Sequence, residues 1–149
     1  MLIKQKNKIF IAGHNGMLGS SLLRKFKDQN VYEVITVDKQ GLDLRNQVDV
    51  MSFIGIHKPE KIILSAAKVG GIQANQNNKC EFLYDNLMIQ NNIIDAAAKN
   101  NTKTLVFIGS SCIYPRECEQ PIKEDYLLTG LLEPTNEPYA LAKIIGLKL

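Results

Sequence analysis

The stretch "KIFIAGHNGMLGSSLLRKF" (8–26) decides the fold class. Its first part, "KIFIA" (8–12), is a short apolar run with the length and branching expected of a buried β-strand. Its last part, "SSLLRKF" (20–26), has apolar residues at helical spacing. Between them lie the three spaced glycines Gly13, Gly16 and Gly19. This order of strand, glycine-rich turn and helix indicates the first βα unit of a larger sheet.

The rest of the chain repeats the alternation of strand and helix. Further strands are predicted in "YEVITVD" (32–38), "KIILSAA" (61–67) and "TLVFIGSS" (104–111), with "GLDL" (41–44) as a candidate short strand. Helices are predicted at residues 47–57, with Val48, Met51 and Ile54 on one face, and at residues 79–99. A last helix has Pro138 in its first turn and Thr135 or Asn136 as its N-cap.

Buried strands that alternate with helices predict an α/β fold with a doubly wound, Rossmann-type parallel sheet. The chain supplies five strands at most, whereas a full sheet of this type has about six. We therefore expect a sheet that is incomplete at its C-terminal edge. Ligands of such folds bind at the carboxyl ends of the strands, where chemistry is to be sought.

Composition limits the classes of function. The 149 residues carry a net charge of only +3 without a long block of like charge, so no nucleic-acid partner is expected. No run approaches the length of a membrane span, and the apolar run behind "MLIKQKNKIF" is too short for a signal peptide. Three cysteines without CxxC spacing indicate a reducing, cytoplasmic setting. His14 and His57 lie far from any cysteine pair, so no metal site is predicted.

The glycine loop can bind a dinucleotide. Its spacing permits a tight turn, a close backbone approach to a pyrophosphate and tight packing of helix on strand, while the helix N-terminus offers free N–H groups. Asp38, 19 residues after Gly19, is placed to hold the hydroxyls of a ribose. Asp43 can contact the adenine edge or cap the following helix. The alternatives are a glycine-rich turn without a ligand and, for Asp38, a solvated strand end.

Three residues near the end of the chain form a candidate proton-transfer group. Ser110 ends a central strand, where its hydroxyl can meet a substrate. Tyr139 and Lys143 lie four residues apart and share a helix face. A nearby ammonium favours the phenolate, so Lys143 is expected to lower the pKa of Tyr139 toward the working range. A Tyr-x-x-x-Lys pair alone is mostly chance, but together with the glycine loop and Ser110 it predicts a reductase.

The spaced glycines, the strand-end serine and Tyr-x-x-x-Lys resemble the extended short-chain dehydrogenase/reductase family. Longer strings narrow the resemblance to the GDP-L-fucose synthases within that family: "AGHNGMLGS", "AAKVGGI", "NLMIQNNIIDAA", "GSSCIYP" and "LEPTNEPYALAK". These enzymes epimerise C3 and C5 of GDP-4-keto-6-deoxy-mannose and reduce C4 with NADPH. The resemblance implies a GDP-sugar substrate and, for the intact enzyme, a homodimer.

The resemblance also implies roles for matching residues. Ser110 would hold the C4 carbonyl oxygen, Tyr139 would protonate it, and Lys143 would bind the nicotinamide ribose. Cys112 would be the epimerisation base, with a small buried hydrophobe as its alternative role. Ser111 is a substrate contact, and Lys68 is weighed equally as a ligand contact or a solvated loop lysine. Cys80 and Cys118 match nothing and are expected to be structural. Further cofactor contacts are predicted at Met17, Lys39, Leu44, Ala66 and Ala67.

Two features depart from the family pattern. Asn15 stands where an arginine usually holds the 2′-phosphate of NADPH, and Asp38 would repel that phosphate. NADP(H) is therefore expected, with NAD(H) not excluded. The family's opposing catalytic histidine and its substrate domain have no counterpart in residues 1–149, so we expect a truncated dinucleotide-binding domain. The alternatives are another nucleotide-sugar reductase or epimerase of this fold, or a non-catalytic nucleotide-binding module.

Overall fold

A computed structural model describes residues 6–149. Residues 1–5, which begin the basic segment noted above, lie outside the described part. Within it the strands and helices alternate, in this order: β1 (Asn7–Ala12), α1 (Met17–Gln29), β2 (Tyr32–Ile35), α2 (Gln47–His57), β3 (Lys61–Leu64), α3 (Ile72–Asn77), α4 (Lys79–Lys99), β4 (Thr104–Phe107) and α5 (Glu137–Lys148). Short 3₁₀ turns occupy Ser111–Ile113 and Glu124–Tyr126.

The four strands form one parallel sheet in the order β2-β1-β3-β4. Its register aligns Ala12 with Leu64 and Leu64 with Phe107, so three strands finish at one edge of the sheet. The predicted α/β class with an all-parallel sheet is confirmed. Strand β4 is the last strand of this sheet among the residues described.

Helix boundaries follow local capping. Asn46 begins α2, because its Oδ1 accepts hydrogen bonds from the backbone N–H groups of Val48 and Asp49 at 3.1 and 3.3 Å. The helix ends at Lys58, which is left-handed with φ 47° and precedes Pro59. Helix α1 ends in the same way, at left-handed Asn30.

The candidate strand "GLDL" (41–44) is wrong. Asp38 folds this segment into a turn: its Oδ1 accepts from the N–H groups of Gln40 and Gly41, and its carbonyl accepts from Leu42 N–H. A backbone held in a turn has no N–H groups left in register for a ladder. The predicted strands β2, β3 and β4 exist but are shorter than the apolar strings suggested.

The predicted face of α2 is also partly wrong. Val48 is 74% exposed, whereas Val50 and Ile54 are fully buried and Met51 and Phe53 pack beside them. Residues at i and i+4 share a helix face, and here that pair is 50 and 54.

The core joining the sheet to its helices consists of Phe10, Ala12, Ile35, Leu42, Val50, Ile54, Ile62, Leu64, Ile93, Ala96 and Ala97.

The chain forms two compact units. The first comprises the chain up to Ala67 together with Met88–Ile108, and holds the sheet and the core. The second comprises Lys68–Leu87 and Gly109–Leu149. No helix of the described residues has the length and apolar composition needed to cross a membrane.

Candidate active site

The glycine loop lies in the first unit and has two glycines that the fold requires. Gly13 has φ +90°, and a Cβ there would lie 2.5 Å from the backbone nitrogen of Ala66. A Cβ on Gly19 would lie 2.1 Å from the carbonyl oxygen of Gly13. Both distances are far below van der Waals contact, so a larger residue at either position would displace the backbone. These two glycines therefore allow the tight turn and the close helix packing that the sequence predicted.

The middle glycine has a different reason to be there. Gly16 has φ −74°, and a Cβ on it would only touch the carbonyl oxygen of Gly13 at 3.4 Å. The protein itself thus tolerates a side chain at this position. Gly16 is the N-cap of α1, no side chain caps that helix, and its first turn contains no acidic residue. A bare loop in front of an uncapped helix N-terminus suits a pyrophosphate.

Two acidic residues predicted to contact a nucleotide have structural partners in the first unit. Asp38 is exposed, and one of its oxygens holds the turn at Gln40 and Gly41. Asp43 does not cap α2, because Asn46 does; it pairs instead with Arg45 at 2.7 Å. Hydrogen bonds from the side chain and backbone of Arg45 lower the pKa of Asp43 to about 2. Both carboxylates are therefore oriented by the protein itself.

The remaining predicted cofactor residues of the first unit differ in exposure. Met17 is 92% exposed at the start of α1, and Lys39 is exposed as well. Leu44 and Ala66 are partly buried against the core, and the Leu44 carbonyl accepts a hydrogen bond from Asn92 at 3.0 Å. Ala67 is partly buried and is the last residue of the first segment of this unit.

In the second unit, Ser110 and Cys112 belong to one short turn. Ser110 is the N-cap of the 3₁₀ turn Ser111–Ile113, and its Oγ accepts a hydrogen bond from the backbone N–H of Cys112 at 3.3 Å. Ser111 points outward and is exposed. The turn therefore fixes Ser110 and Cys112 relative to each other, whereas Ser111 remains accessible from outside.

Tyr139 adjoins this turn from the first turn of α5. Ser110 and Cys112 are both close enough to influence the ionisation of its phenol. Burial raises the pKa of Tyr139 above its ordinary value, Ser110 opposes that shift, and Cys112 adds to it. The expected lowering of this pKa by Lys143 is thus wrong for the protein alone, because burial outweighs every other effect on the phenol.

Lys143 is a buried lysine. Its side chain has a relative exposure of 3%, and its Nζ lies 5.9 Å from the centroid of the Tyr139 ring. Burial lowers the pKa of Lys143 from 10.5 to about 8. Desolvation disfavours an ammonium, so a lysine retained at such a position is a candidate functional residue.

A cavity of about 220 Å³ adjoins the reactive side chains of the second unit. Two of its asparagines are unusual: Oδ1 of Asn75 and Oδ1 of Asn136 are buried without a hydrogen-bond partner. Nδ2 of Asn136 donates to Sγ of Cys112 at 3.1 Å. The cavity is lined by Val69, Gly70, Asn75, Cys112, Asn136 and Tyr139. Thiol, phenol and orphan amide oxygens around one cavity suit a polar ligand.

Lys68, on the loop after β3, is partly exposed and is held by ion pairs. Its Nζ forms ion pairs with Glu81 and, at 3.2 Å, with Asp85, and these hydrogen bonds raise its pKa. Its backbone N–H donates to Oδ1 of buried Asn86 at 2.8 Å. The three cysteines are free; Cys80 is exposed, whereas Cys112 and Cys118 are partly buried.

Sequence reasoning missed the asparagines. Asn136 was identified only as a helix cap, and its contact with Cys112 spans 24 residues of sequence. Asn75 lies in α3, which the sequence did not predict, and its Nδ2 donates to the carbonyls of Gly70 and Gly71. The only signal was the density of polar residues around "GGIQANQ" and "PTNEPY", which also suits a loop.

Comparisons with known proteins agree with the resemblance in the sequence. The profile of the NAD dependent epimerase/dehydratase family matches residues 9–149. GDP-L-fucose synthase 1 of Arabidopsis thaliana is 50% identical over 141 residues, which cover 95% of this chain and 44% of that protein. GDP-L-fucose synthase of Sinorhizobium fredii is 47% identical over 149 residues, which cover 100% of this chain and 47% of that protein. The chain thus spans about half the length of these relatives.

A solved structure with a similar fold is a GDP-mannoheptose C4 reductase from Campylobacter jejuni with NADP bound. Its TM-score is 0.91 and its sequence identity 40%, with 97% of this chain and 46% of that one covered. The similarity extends over both units described above.

Proposed function

The chain belongs to the NAD-dependent epimerase/dehydratase family, and on that premise we propose that it is the dinucleotide-binding part of a GDP-L-fucose synthase-type enzyme. Such an enzyme epimerises C3 and C5 of GDP-4-keto-6-deoxy-mannose and reduces C4 with NADPH. The observation that carries the proposal is the grouping of Ser110, Cys112 and Tyr139 within one unit, with Cys112 and Tyr139 lining the same cavity.

Cys112 is the proposed base of the epimerisation. A thiolate can remove the acidic proton beside the C4 ketone: the C–H bond breaks, an S–H bond forms, and the electron pair moves onto the C4 oxygen as an enolate. That oxygen needs hydrogen-bond donors, and the Ser110 and Tyr139 hydroxyls are the available ones. The influence of Ser110 on the pKa of Tyr139 supports a shared role of the two hydroxyls in holding one oxygen.

Tyr139 is the proposed proton donor of the reduction. When bound, NADPH supplies the hydride that reduces C4. The Tyr139 phenol gives its proton to the C4 oxygen, and Ser110 holds that oxygen by a hydrogen bond. Lys143, on the same face of α5, would bind the nicotinamide ribose and stabilise the phenolate left after proton transfer.

The glycine loop fits the phosphates of this cofactor. The fold has room for a Cβ at Gly16. The close approach of a ligand is therefore the reason for a glycine at this position. For the ribose, Asp38 and Lys39 are both exposed. NADP(H) is the proposed cofactor, supported by the NADP-bound relative, although Asn15 and Asp38 also suit NAD(H).

The test uses a chimaera, because the chain covers about half of its relatives. Residues 1–149 replace the matching part of Sinorhizobium fredii GDP-L-fucose synthase, with which they share 47% identity. The chimaera is expected to consume NADPH with GDP-4-keto-6-deoxy-mannose and, in D₂O, to incorporate deuterium at C3 and C5. NADPH consumption without deuterium at those carbons would contradict the epimerase half of the proposal.

A second candidate is a C4 reductase that acts on another GDP-sugar without epimerising it. The similarity to a GDP-mannoheptose C4 reductase favours this alternative. Product analysis with both GDP-sugars separates the two, since only the first function changes the configuration at C3 and C5. A non-catalytic nucleotide-binding module would bind NADPH and convert neither sugar.

The proposal extends to assembly and location. We place the intact enzyme in the cytoplasm as a homodimer, with residues 1–149 as its dinucleotide-binding domain and its substrate domain outside this segment. Exposed apolar residues on α5, among them Leu141 and Ile145, support a role for this helix in dimer formation. Light scattering of the chimaera tests the dimer, and a monomer would contradict it.

A further inference from the structure

Asn136 occupies a helix N-cap but does not cap the helix. Asparagine is among the best N-cap residues, and Asn46 shows the ordinary use: its Oδ1 accepts from two backbone N–H groups of α2. Asn136, the N-cap of α5, forms no side-chain cap bond. Its Nδ2 donates instead to Sγ of Cys112 at 3.1 Å, and its Oδ1 is buried without a partner.

This arrangement is unfavourable for stability. An unused N-cap leaves orphan N–H groups at the start of α5, and a buried amide oxygen without a hydrogen bond keeps its full desolvation cost. Pro138 at N2 has no N–H, so an Asn136 oxygen that capped the helix could accept only from the N–H of Tyr139, and turning the amide that way would break the contact with Cys112. The contact between the Asn136 amide and the Cys112 sulfur is therefore kept at the expense of the helix cap.

We propose that Asn136 is a positioning residue for Cys112: its amide N–H donates to the sulfur and holds it in place beside the cavity that both residues line. The inference rests on the proposed function, in which the thiolate accepts the proton from the carbon beside C4. An N–H donor favours the charged form of its acceptor. An amide does not titrate in this range, so it can hold the thiolate without competing for the proton.

The start of α5 then sets both reactive groups. Asn136 is the N-cap and Tyr139 lies three residues later, so the two side chains share a helix face. Both line the cavity that Cys112 also lines. One helical turn thus positions the base through Asn136 and carries the acid itself, while Ser110 fixes the backbone of Cys112 from the other side.

The titratable residues in the first two turns of α5 are Glu137, Tyr139 and Lys143. Tyr139 interacts electrostatically with Cys112, and Lys143 lies one turn further along α5. The other titratable group in the first turn of α5 is Glu137, which is exposed. All three are unchanged in the variants below, so a difference between variants reports Asn136.

The experiment follows alkylation of Cys112 in the chain carrying Cys80→Ser and Cys118→Ser. Iodoacetamide reacts with the thiolate, forming an S–C bond and releasing iodide, so its rate against pH reports the thiolate fraction without any substrate. Two variants keep a good N-cap residue: Asn136→Ser removes the amide donor, and Asn136→Asp replaces it with a negative charge. Asn46→Asp is the matched control at the other asparagine cap.

We expect the pH profile to move upward in both Asn136 variants, with at least about a tenfold loss of rate near neutrality because a charge-assisted hydrogen bond is lost. Asn136→Asp should shift it most, whereas Asn46→Asp should not shift it. Since serine and aspartate cap well, circular dichroism should show no loss of helix. If the chain with Asn136 and its Asn136→Ser and Asn136→Asp variants gave identical alkylation rates at every pH, the proposal would be overturned.

The readout separates this inference from the proposed function. If the Asn136 variants show shifted alkylation profiles while the chimaera shows no exchange at C3 and C5, that result would reject the proposed function but would keep the contact between Asn136 and Cys112. Exchange that proceeds equally in the chimaera and its Asn136→Asp variant would overturn the inference and leave the function.

Discussion

The Nζ of Lys143 lies 5.9 Å from the centroid of the Tyr139 ring, and burial moves both side chains toward their neutral forms. The pKa of the phenol is raised and that of the ammonium is lowered. A raised pKa keeps the proton on Tyr139, which suits a group that must donate a proton to the C4 oxygen. The lysine is then most useful after the transfer, when a phenolate has formed beside it.

The first prediction concerns the stability contribution of Lys143. Its pKa of about 8 is below that of the unfolded chain, so above about pH 8 the unfolded chain binds more protons and the free energy of unfolding rises with pH. Below pH 8 the protonated lysine destabilises the fold. Lys143→Met should therefore stabilise the chain at pH 7, by about 3 kcal/mol at most, and should flatten the rise between about pH 8 and pH 10.

Urea unfolding of the wild type and the variant at several pH values measures this effect. Tyr139 has the opposite dependence, since its raised pKa gives stability that is lost above about pH 10. The comparison is therefore made below that pH. Lys148→Met, at the exposed end of α5, is the control and should leave stability nearly unchanged. Equal stability of wild type and Lys143→Met at every pH would contradict the burial argument.

The glycine loop gives a second prediction, in which two glycines separate folding from binding. Gly13→Ala should destabilise the chain by about 1 kcal/mol or more, because of φ +90° and the close approach of Ala66. Gly16→Val should cost little stability and should abolish NADPH binding, because its side chain projects where the phosphates would approach.

Fluorescence titration with NADPH and NADH, together with thermal unfolding, measures both effects. Gly55→Ala, in helix α2, adds a Cβ that meets only the Asn100 side chain at 3.3 Å and serves as the control. Equal NADPH affinity of wild type and Gly16→Val would reject the phosphate site. Tighter binding of NADH than NADPH would correct the choice of cofactor.

These predictions show what the sequence could and could not reveal. The unit β1–glycine loop–α1 was predictable because each feature is local: an apolar run, glycines needed for backbone geometry, and a helical repeat. The turn at Asp38 was not, since "GLDL" alternates like a strand. The turn is held by hydrogen bonds to the carboxylate and carbonyl of Asp38, which the alternation does not show. Local patterns thus determine elements, while side-chain capping decides the ambiguous ones.

The candidate site was predictable in its membership but not in its electrostatics. Strand position and motif spacing identified Ser110, Tyr139 and Lys143, and the resemblance to a known family identified Cys112. The direction of the Tyr139 shift depends on burial, which spacing does not encode, so the expected lowering was wrong. The role of Asn136 was missed for a related reason: it occupies one of the two expected N-cap positions, but its side chain bonds to a partner 24 residues away instead of capping the helix.

The third prediction separates the two reactions at Cys112. In the chimaera, Cys112→Ser should stop deuterium incorporation at C3 and C5, because a serine hydroxyl is far too weak a base near neutral pH. Reduction of an already epimerised ketone should largely survive, since Ser110 and Tyr139 remain. Cys118→Ser is the matched control and should affect neither. Unchanged exchange in Cys112→Ser would assign Cys112 the role of a small packing residue.

The last prediction concerns residues 1–149 expressed by themselves, which we expect not to reduce GDP-4-keto-6-deoxy-mannose. They correspond to 44–47% of the relatives named above. Strand β4 has a neighbour on one side only in the described sheet, and Val106 on it is 45% exposed. An unpaired edge strand invites association with other chains.

Helix α5 points the same way. It has 12 residues, a length that is marginal without packing, and it exposes Leu141, Ile145 and Leu147. Weak cofactor binding and concentration-dependent association are therefore expected, and light scattering with an NADPH consumption assay measures them. Replacing Val106 by lysine should reduce association if the β4 edge causes it. Turnover by a soluble monomer of 149 residues would show that this segment holds a complete active site, against our expectation.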